Sequence, residues 1–279
     1  MKVIVIGGGI GGLSAALSLQ AAGIEAEVFE AAPNITALGL GIHLQPNAVR
    51  ELTELGLGAE LERQAVPIEE LAFYSKRGQR IWSEPRGRMA GYRWPQYAIN
   101  RGTLQMILLE AAHARLGRHA VHTGRKLVSF EQDDQGVTAH FVDSQTADPI
   151  PPVRADVLIG ADGIHSTVRR NFYPEQQLRF GGQLMWRCAV PASPFLSGRT
   201  MIIAGHRNQK LVCYPMLPLP DGRVMLNWIT ELGQDGDGPP REEWNRKVDK
   251  TRFAHAFESW RFDWLDVPAL IEAGAEVFE

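Results

Sequence analysis

Hydrophobic positions along the chain begin as an unbroken run and then take up two different periods. Val3-Ile4-Val5-Ile6 is four β-branched residues in succession, the pattern of a parallel strand covered on both faces. A glycine cluster follows. Positions 13–22 then place Leu13, Ala16, Leu17 and Ala21 along one side of a helix that Gly23 stops at C′. A second strand over 26–30 completes a strand–helix–strand unit of about 30 residues, the length of one crossover. A helix over 46–55 has Pro46 in its first turn, Val49, Leu52 and Leu55 inward, and Gly56 at its end. Weak alternation over 71–82 predicts a strand pair outside the main sheet. A helix over 103–116 carries Leu104, Ile107, Leu108 and Ala111 at core spacing. Strands over 127–131 and 137–142 flank Asp133-Asp134-Gln135-Gly136 as a hairpin, and Val157-Leu158-Ile159 is a further buried strand leading into Gly160-Ala161-Asp162-Gly163.

The pattern changes after about residue 174. Strands over 184–190, 200–204, 211–214 and 224–229 succeed one another without long helices, which predicts a mostly antiparallel sheet in a second domain. A loop over 235–240 precedes an expected helix over 242–257, which would carry Trp244, Val248 and Phe253 into that sheet.

Composition adds mainly exclusions. Hydrophobic residues make up 44% and charged residues 22%, an ordinary globular balance. The net charge of −3 comes with no basic block of the kind that binds nucleic acid. Cys188 and Cys213 lie far apart without a CxxC, so no disulfide framework or zinc ribbon is implied; they fit a reducing cytoplasm. The stretch Val3 to Ile24 lacks charge and is long enough to imitate a membrane span, while Lys2 and Ala21-Ala22-Gly23 imitate a signal peptide. Gly7, Gly8, Gly9, Gly11 and Gly12 in its middle would break such a helix, which favours strand, glycine turn and helix instead.

Gly7, Gly9 and Gly12 form GxGxxG. The pattern alone is weak, but here it follows a strand, opens a helix and precedes the carboxylate of Glu30 by about 20 residues, as a dinucleotide fingerprint requires. Gly7 permits the tight turn, Gly9 lets backbone approach a pyrophosphate, and Gly12 lets helix and strand pack closely. The helix N-terminus supplies unpaired N–H groups for phosphate. Glu30 suits the unphosphorylated ribose of either FAD or NAD.

Three further segments separate those two. Gly41-Ile42-His43-Leu44-Gln45-Pro46-Asn47-Ala48 resembles the GIxLxPNA loop of the class A FAD-dependent aromatic monooxygenases. The run Asn100-Arg101-Gly102-Thr103-Leu104-Gln105-Met106-Ile107-Leu108 resembles their NRxxLQxxL helix start, and residues 156–169 resemble their DG motif almost position for position. Within that family, Trp82-Ser83-Glu84-Pro85-Arg86-Gly87, residues 97–109 and Met185-Trp186-Arg187 are similar to the bacterial phenazine-1-carboxylate-type hydroxylases. Salicylate- and hydroxynicotinate-type hydroxylases share the main motifs.

The resemblance implies an α/β fold: a Rossmann-like three-layer FAD/NAD(P)-binding domain with a second, mostly antiparallel β-sheet substrate domain. Residues 1–70 and 98–176 would form the first, and 71–97 and 177–279 the second. Gly7, Gly9, Gly12 and Glu30 would hold the ADP half of FAD, Arg101 the pyrophosphate or ribityl region, and Leu127 the adenine through backbone atoms. Asp162 would help fix the phosphates, and Gly41 and Ile42 would approach the isoalloxazine. Arg101 could instead be a helix-start residue paired with a carboxylate, and Asp162 could organise an Asx-type turn before Gly163.

The implied reaction is aromatic hydroxylation with NADH or NADPH and O2 as co-substrates, through a C4a-hydroperoxyflavin. It needs no nucleophilic triad or metal, and the sequence shows no GxSxG, HExxH or Walker lysine. The substrate would lie on the second-domain sheet. Arg187 and Tyr214 suit an aromatic carboxylate by pairing and stacking, although both could be structural, as could Trp186 and Trp228. Alternation does not say which sheet face looks inward. The resemblance leaves a homodimer open. Family members continue into a GD motif that this chain lacks, so the expectation is a truncated chain. That keeps in view a flavin-binding remnant or interaction protein without turnover; an NAD-dependent dehydrogenase is the remaining alternative.

Overall fold

The computed structural model describes residues 1–37, 39–234 and 246–279. The chain forms two compact units. Unit 1 comprises Met1–Leu38, Leu55–Leu57 and Gly102–Leu178; unit 2 comprises Gly39–Glu54, Gly58–Arg101 and Arg179–Glu279.

Unit 1 is built on a parallel sheet in the order Val157–Gly160, Lys2–Ile6, Glu25–Phe29, Val121–His122. The β-branched run explains its layering. Val3 and Val5 point to one face and join Ala16 of helix Ile10–Ala21 with Ala26 and Val28. Ile4 and Ile6 point to the other, where they meet Phe29, Leu127, Val137, Ala139, Phe141 and Ala155. Helix, parallel sheet and a three-stranded antiparallel sheet therefore make the three layers. The helix ends in a Schellman motif: Gly23 at φ +75° donates to the Gln20 carbonyl, and Ile24 donates to that of Leu19. Leu13, Ala16 and Leu17 are buried, but Ala21 is exposed because it already lies in that last turn.

The expected hairpin is Arg125–Asp133 with Gly136–Asp143. A third strand, Pro149–Ala155, pairs with it and was not anticipated. Pro149, Pro151 and Pro152 hide it from pattern reading, and its edge position is where a strand tolerates proline.

Unit 2 is built on an eight-stranded sheet. Its order is Lys247–Val248, Val277–Phe278, Gln183–Ala192, Val224–Gly233, Gln209–Pro218, Thr200–His206, Glu70–Tyr74, Arg80–Pro85. Its pairings are antiparallel except that of Thr200–His206 with Glu70–Tyr74. The strand pair expected over 71–82 is thus the far edge of this sheet. One face carries Trp186, Cys188, Val190, Ile202, Ala204, Cys213, Leu226 and Trp228 into a core closed by Phe253, Phe257, Trp260, Val267, Leu270 and Ile271. Phe253 stacks on Trp186 at 4.8 Å and 9°. Burying each such side chain is worth about 1.5–3 kcal/mol, so this aromatic layer is a main anchor of the unit.

Three short strands, Gly41–Leu44, Gln96–Asn100 and Val66–Ile68, form a second sheet in unit 2. Residues 39–54, 58–70 and 98–101 group with unit 2, although the sequence placed them beside the glycine turn. The reason is packing: Val66, Ile68 and Ala98 share a core with Val212, Tyr214 and Met216.

The loop over 235–240 and Trp244 lie outside the described residues. For the described part of the expected helix over 242–257, the structure has strand Lys247–Val248 and two 3-10 turns, Lys250–Arg252 and Ala254–Phe257. Asp249 breaks the helix by accepting the Thr251 N–H at 2.8 Å. Phe253 is fully buried all the same. Leu55 and Ala111 are only partly covered, the core position of the second helix being Ala112.

Candidate functional site

The glycine turn of unit 1 divides into two close approaches and two open positions. A Cβ on Gly12 would lie 1.8 Å from the Gly7 carbonyl oxygen. A Cβ on Gly7, at φ +107°, would lie 2.4 Å from that of Ala161. The turn is thus wedged between its own helix and the segment leading into Asp162. Gly9 and Gly11, by contrast, have nothing within 4 Å of a would-be Cβ. Gly9 is the N-cap of helix Ile10–Ala21, so no capping side chain accepts from the first N–H groups of the helix.

Glu30 follows its strand and is held by two backbone donors, Gly8 N–H at 2.6 Å and Ala32 N–H at 2.7 Å. Each carboxylate oxygen keeps a further lone pair for a hydroxyl donor. Gln105 donates to the Gly8 carbonyl at 2.9 Å and fixes the turn from helix Arg101–Leu116. Sequence reasoning missed this residue, and its signal was the glutamine of NRxxLQxxL. A bare helix N-terminus, a glycine wall and a positioned carboxylate fit the phosphates and ribose of a dinucleotide.

Asp162 is engaged locally. One oxygen accepts the Ser166 hydroxyl at 2.6 Å; the other accepts the N–H groups of Thr167 at 2.7 Å and Val168 at 3.2 Å. Ser166 caps helix Thr167–Phe172 by accepting the Arg169 N–H. Asp162 therefore builds the turn around Gly163, at φ +74°, and buttresses the helix start. The Leu127 side chain is buried in the core of unit 1.

The remaining residues belong to unit 2. Arg101 is the first residue of its helix and donates its backbone N–H to the Leu40 carbonyl at 2.8 Å. Gly41 donates to Asn227 Oδ1 at 2.9 Å, and a Cβ there would meet the Tyr214 ring and hydroxyl at 2.7 Å. Ile42 pairs with Ile99 in the neighbouring strand.

The structure settles the sheet faces. Trp186 and Trp228 fill the aromatic core. Arg187 alternates away from them, onto the face that carries Asn227, Ile229, Val212 and Tyr214. Arg187 is half-buried, and burial together with the nearby Arg101 charge draws its guanidinium below the ordinary value. Burial pushes the Tyr214 phenol well up, so it stays protonated.

His43 was not singled out as a site residue. It meets Tyr214 edge-on at 4.1 Å, and its Nδ1 is 3.2 Å from Gln96 Nε2. Burial, with help from the Arg86 charge, takes its pKa down to about 4. Among the described residues no group of three or more His, Cys, Asp or Glu side chains could hold a metal. Among the same residues no helix is long and apolar enough to cross a membrane.

Residues 1–257 match the FAD binding domain family. The chain is 37% identical to a phenazine 1,6-dicarboxylic acid hydroxylase, PhzS, of Lysobacter antibioticus, a match that covers 99% of this chain and 70% of that protein. It is 34% identical to an FAD-dependent urate hydroxylase of Klebsiella pneumoniae, over 68% of this chain and 48% of the relative. The crystal structure of Klebsiella pneumoniae HpxO complexed with FAD and uric acid superposes with a TM-score of 0.76 at 26% identity, covering 98% of this chain and 65% of that one. The chain thus spans from about half to 70% of the length of these relatives. With the glycine turn, Glu30 and the DG segment in place, it belongs to the FAD binding domain family of flavin-dependent aromatic hydroxylases.

Proposed function

We propose that this protein is an FAD-dependent monooxygenase that hydroxylates an aromatic carboxylate, of the phenazine or another N-heteroaromatic class, with NADH or NADPH and O2. The observation that carries the reading is the open, uncapped helix start at Gly9 beside the anchored Glu30, in a chain 37% identical to a phenazine dicarboxylate hydroxylase. FAD, when bound, supplies hydride acceptance and oxygen activation; the protein supplies binding, orientation and dryness.

In unit 1, Gly7, Gly9 and Gly12 cradle the pyrophosphate, Glu30 accepts ribose hydroxyls, and the Leu127 backbone meets adenine. Asp162 acts on the phosphates through the N–H groups it organises. In unit 2, Arg101 provides a permanent positive fork for phosphate oxygens, and Gly41 and Ile42 present backbone to the ring system. Arg187 and Tyr214, which share a sheet face, take the substrate. Residues 1–70 with 98–176 act as the cofactor part and 71–97 with 177–279 as the substrate part, even though the packing units divide differently.

The test is stoichiometry. Purified protein supplied with FAD, NADH or NADPH and phenazine-1-carboxylate should form one hydroxylated ring per reduced nicotinamide consumed. A flavin-free protein that only exchanges hydride between NAD and an alcohol would establish the dehydrogenase instead. Nicotinamide oxidation that no aromatic acid accelerates would leave a flavin binder without this turnover.

A further inference from the structure

The ladder registers of the eight-stranded sheet set six residues in one row across six neighbouring strands. Arg187 pairs with Ile229, Ile229 with Val212, Val212 with Ile203, Ile203 with Phe73, and Phe73 with Trp82. Partners in register point to the same face, here the one opposite the aromatic core, and at ordinary strand spacing the row is about 24 Å long. Beyond its cation the row is apolar throughout. Ile229, Ile203 and Phe73 are partly exposed, and Val212 lies lower, at 9%. Trp82, stacked on Phe73 at 5.6 Å, is 54% exposed at the sheet edge.

The rows on either side differ from it. On the inner side, Ala189, Asn227 and Tyr214 share a row. Asn227 and Tyr214 are buried there, since Gly41 donates to Asn227 and Val66, Ile68 and Ala98 share a core with Tyr214. On the outer side run Met185, Glu231 and Lys210, with Lys210 Nζ 2.6 Å from the Glu231 carboxylate. The middle row is thus the floor of a trough, with a buried wall along one side, an ion pair along the other and a guanidinium at one end. Neutral as a pair, Lys210 and Glu231 offer a carboxylate nothing comparable to the Arg187 fork.

Such a floor suits a planar acid lying lengthwise, its carboxylate toward Arg187. Length then decides which residues the ligand touches. A single ring spans about one strand spacing and lies over Ile229, whereas three fused rings span about two and continue across Val212 to Ile203. Phe73 and Trp82 lie beyond both. We infer that this row measures the ring system of the substrate: Ile229 floors the ring that bears the carboxylate, and Val212 and Ile203 floor the far rings, selecting fused three-ring acids over single-ring acids. The inference rests on the aromatic hydroxylase reading and assigns its ring-size specificity to residues that no motif marks.

The experiment titrates the FAD-loaded protein with phenazine-1-carboxylate and with salicylate, following the perturbation of flavin absorbance. Burial of the two further rings should favour the three-ring acid at least about tenfold in the wild type. Ile203→Asn puts an amide under the far rings and should weaken phenazine-1-carboxylate at least about fivefold and salicylate less than about twofold. Ile229→Asn should weaken both, and Trp82→Ala neither by more than about twofold, because it lies past the end of three rings. If Ile203→Asn does not retain FAD, Ile203→Thr, which keeps the β-branched shape, carries the test with the same readout. Equal loss for both acids at position 203, no loss for either, or a Trp82→Ala loss as large as that at Ile203 overturns the row. A wild type that binds both acids without preferring the three-ring one overturns it while leaving the hydroxylase reading intact; a wild type that binds neither overturns both.

Discussion

Gly12 lies so close to Gly7 that a single methyl group on the former would sit 1.8 Å from the carbonyl oxygen of the latter. That oxygen is backbone, in a turn also held by the Gly7 N–H bond to Phe29, and cannot swing aside. Gly12→Ala should therefore cost about 3 kcal/mol or more of unfolding free energy, at the upper end of overpacking effects. Gly9→Ala separates fold from function. Gly9 has extended backbone at φ −75° and open space around it, so alanine should shift stability by under about 1 kcal/mol. The same methyl would stand where a pyrophosphate must approach, and FAD affinity should fall at least about tenfold. Denaturant unfolding and flavin titration of the two variants check both halves.

Asp162 and Ser166 act as a pair, joined at 2.6 Å and sharing the start of helix Thr167–Phe172. Each alanine substitution should cost about 1–2 kcal/mol, the usual range for a lost cap. Because either one undoes the other's geometry, the double variant should cost less than the sum, with a coupling of about 1 kcal/mol by a double-mutant cycle. Additive losses would mean that the two hold the turn independently.

His43 makes stability depend on pH in a definable window. Its folded value of about 4 lies below the ordinary 6.5, so between those values the unfolded chain binds a proton that the folded chain refuses. Its contribution is complete above pH 6.5 and declines as pH falls toward 4, by at most about 3 kcal/mol. His43→Gln should flatten that part of the unfolding free-energy profile and leave the alkaline side unchanged.

Much of unit 1 was legible because its signals are local. Four β-branched residues, a glycine turn and a 3.6-residue period predict a strand, a tight turn and a helix, and those elements are present at Lys2–Ile6, Gly7–Gly9 and Ile10–Ala21. The short sheet of Gly41–Leu44, Val66–Ile68 and Gln96–Asn100 was not legible. Its strands are three to five residues long, too short to show a period, and pair across as much of the chain as separates Gly41 from Asn100. Residues 242–257 were read as one helix because the spacing of Trp244, Val248 and Phe253 matches one; the Asp249 cap and the 3-10 turns answer to tertiary packing. For the same reason Arg187 and Tyr214 could be nominated from composition, whereas their shared face follows only from the ladder register. Asn227, His43 and Gln96 carry no motif of their own, and their contacts with Gly41, Tyr214 and each other follow only from the folded chain.

The most direct test of the central claim follows the oxygen atom. The FAD-loaded protein, given NADH or NADPH and phenazine-1-carboxylate under 18O2, should yield a hydroxylated ring carrying one 18O, as a monooxygenase requires. Product whose oxygen comes from water, or nicotinamide consumed with no oxygenated ring formed, would contradict the account.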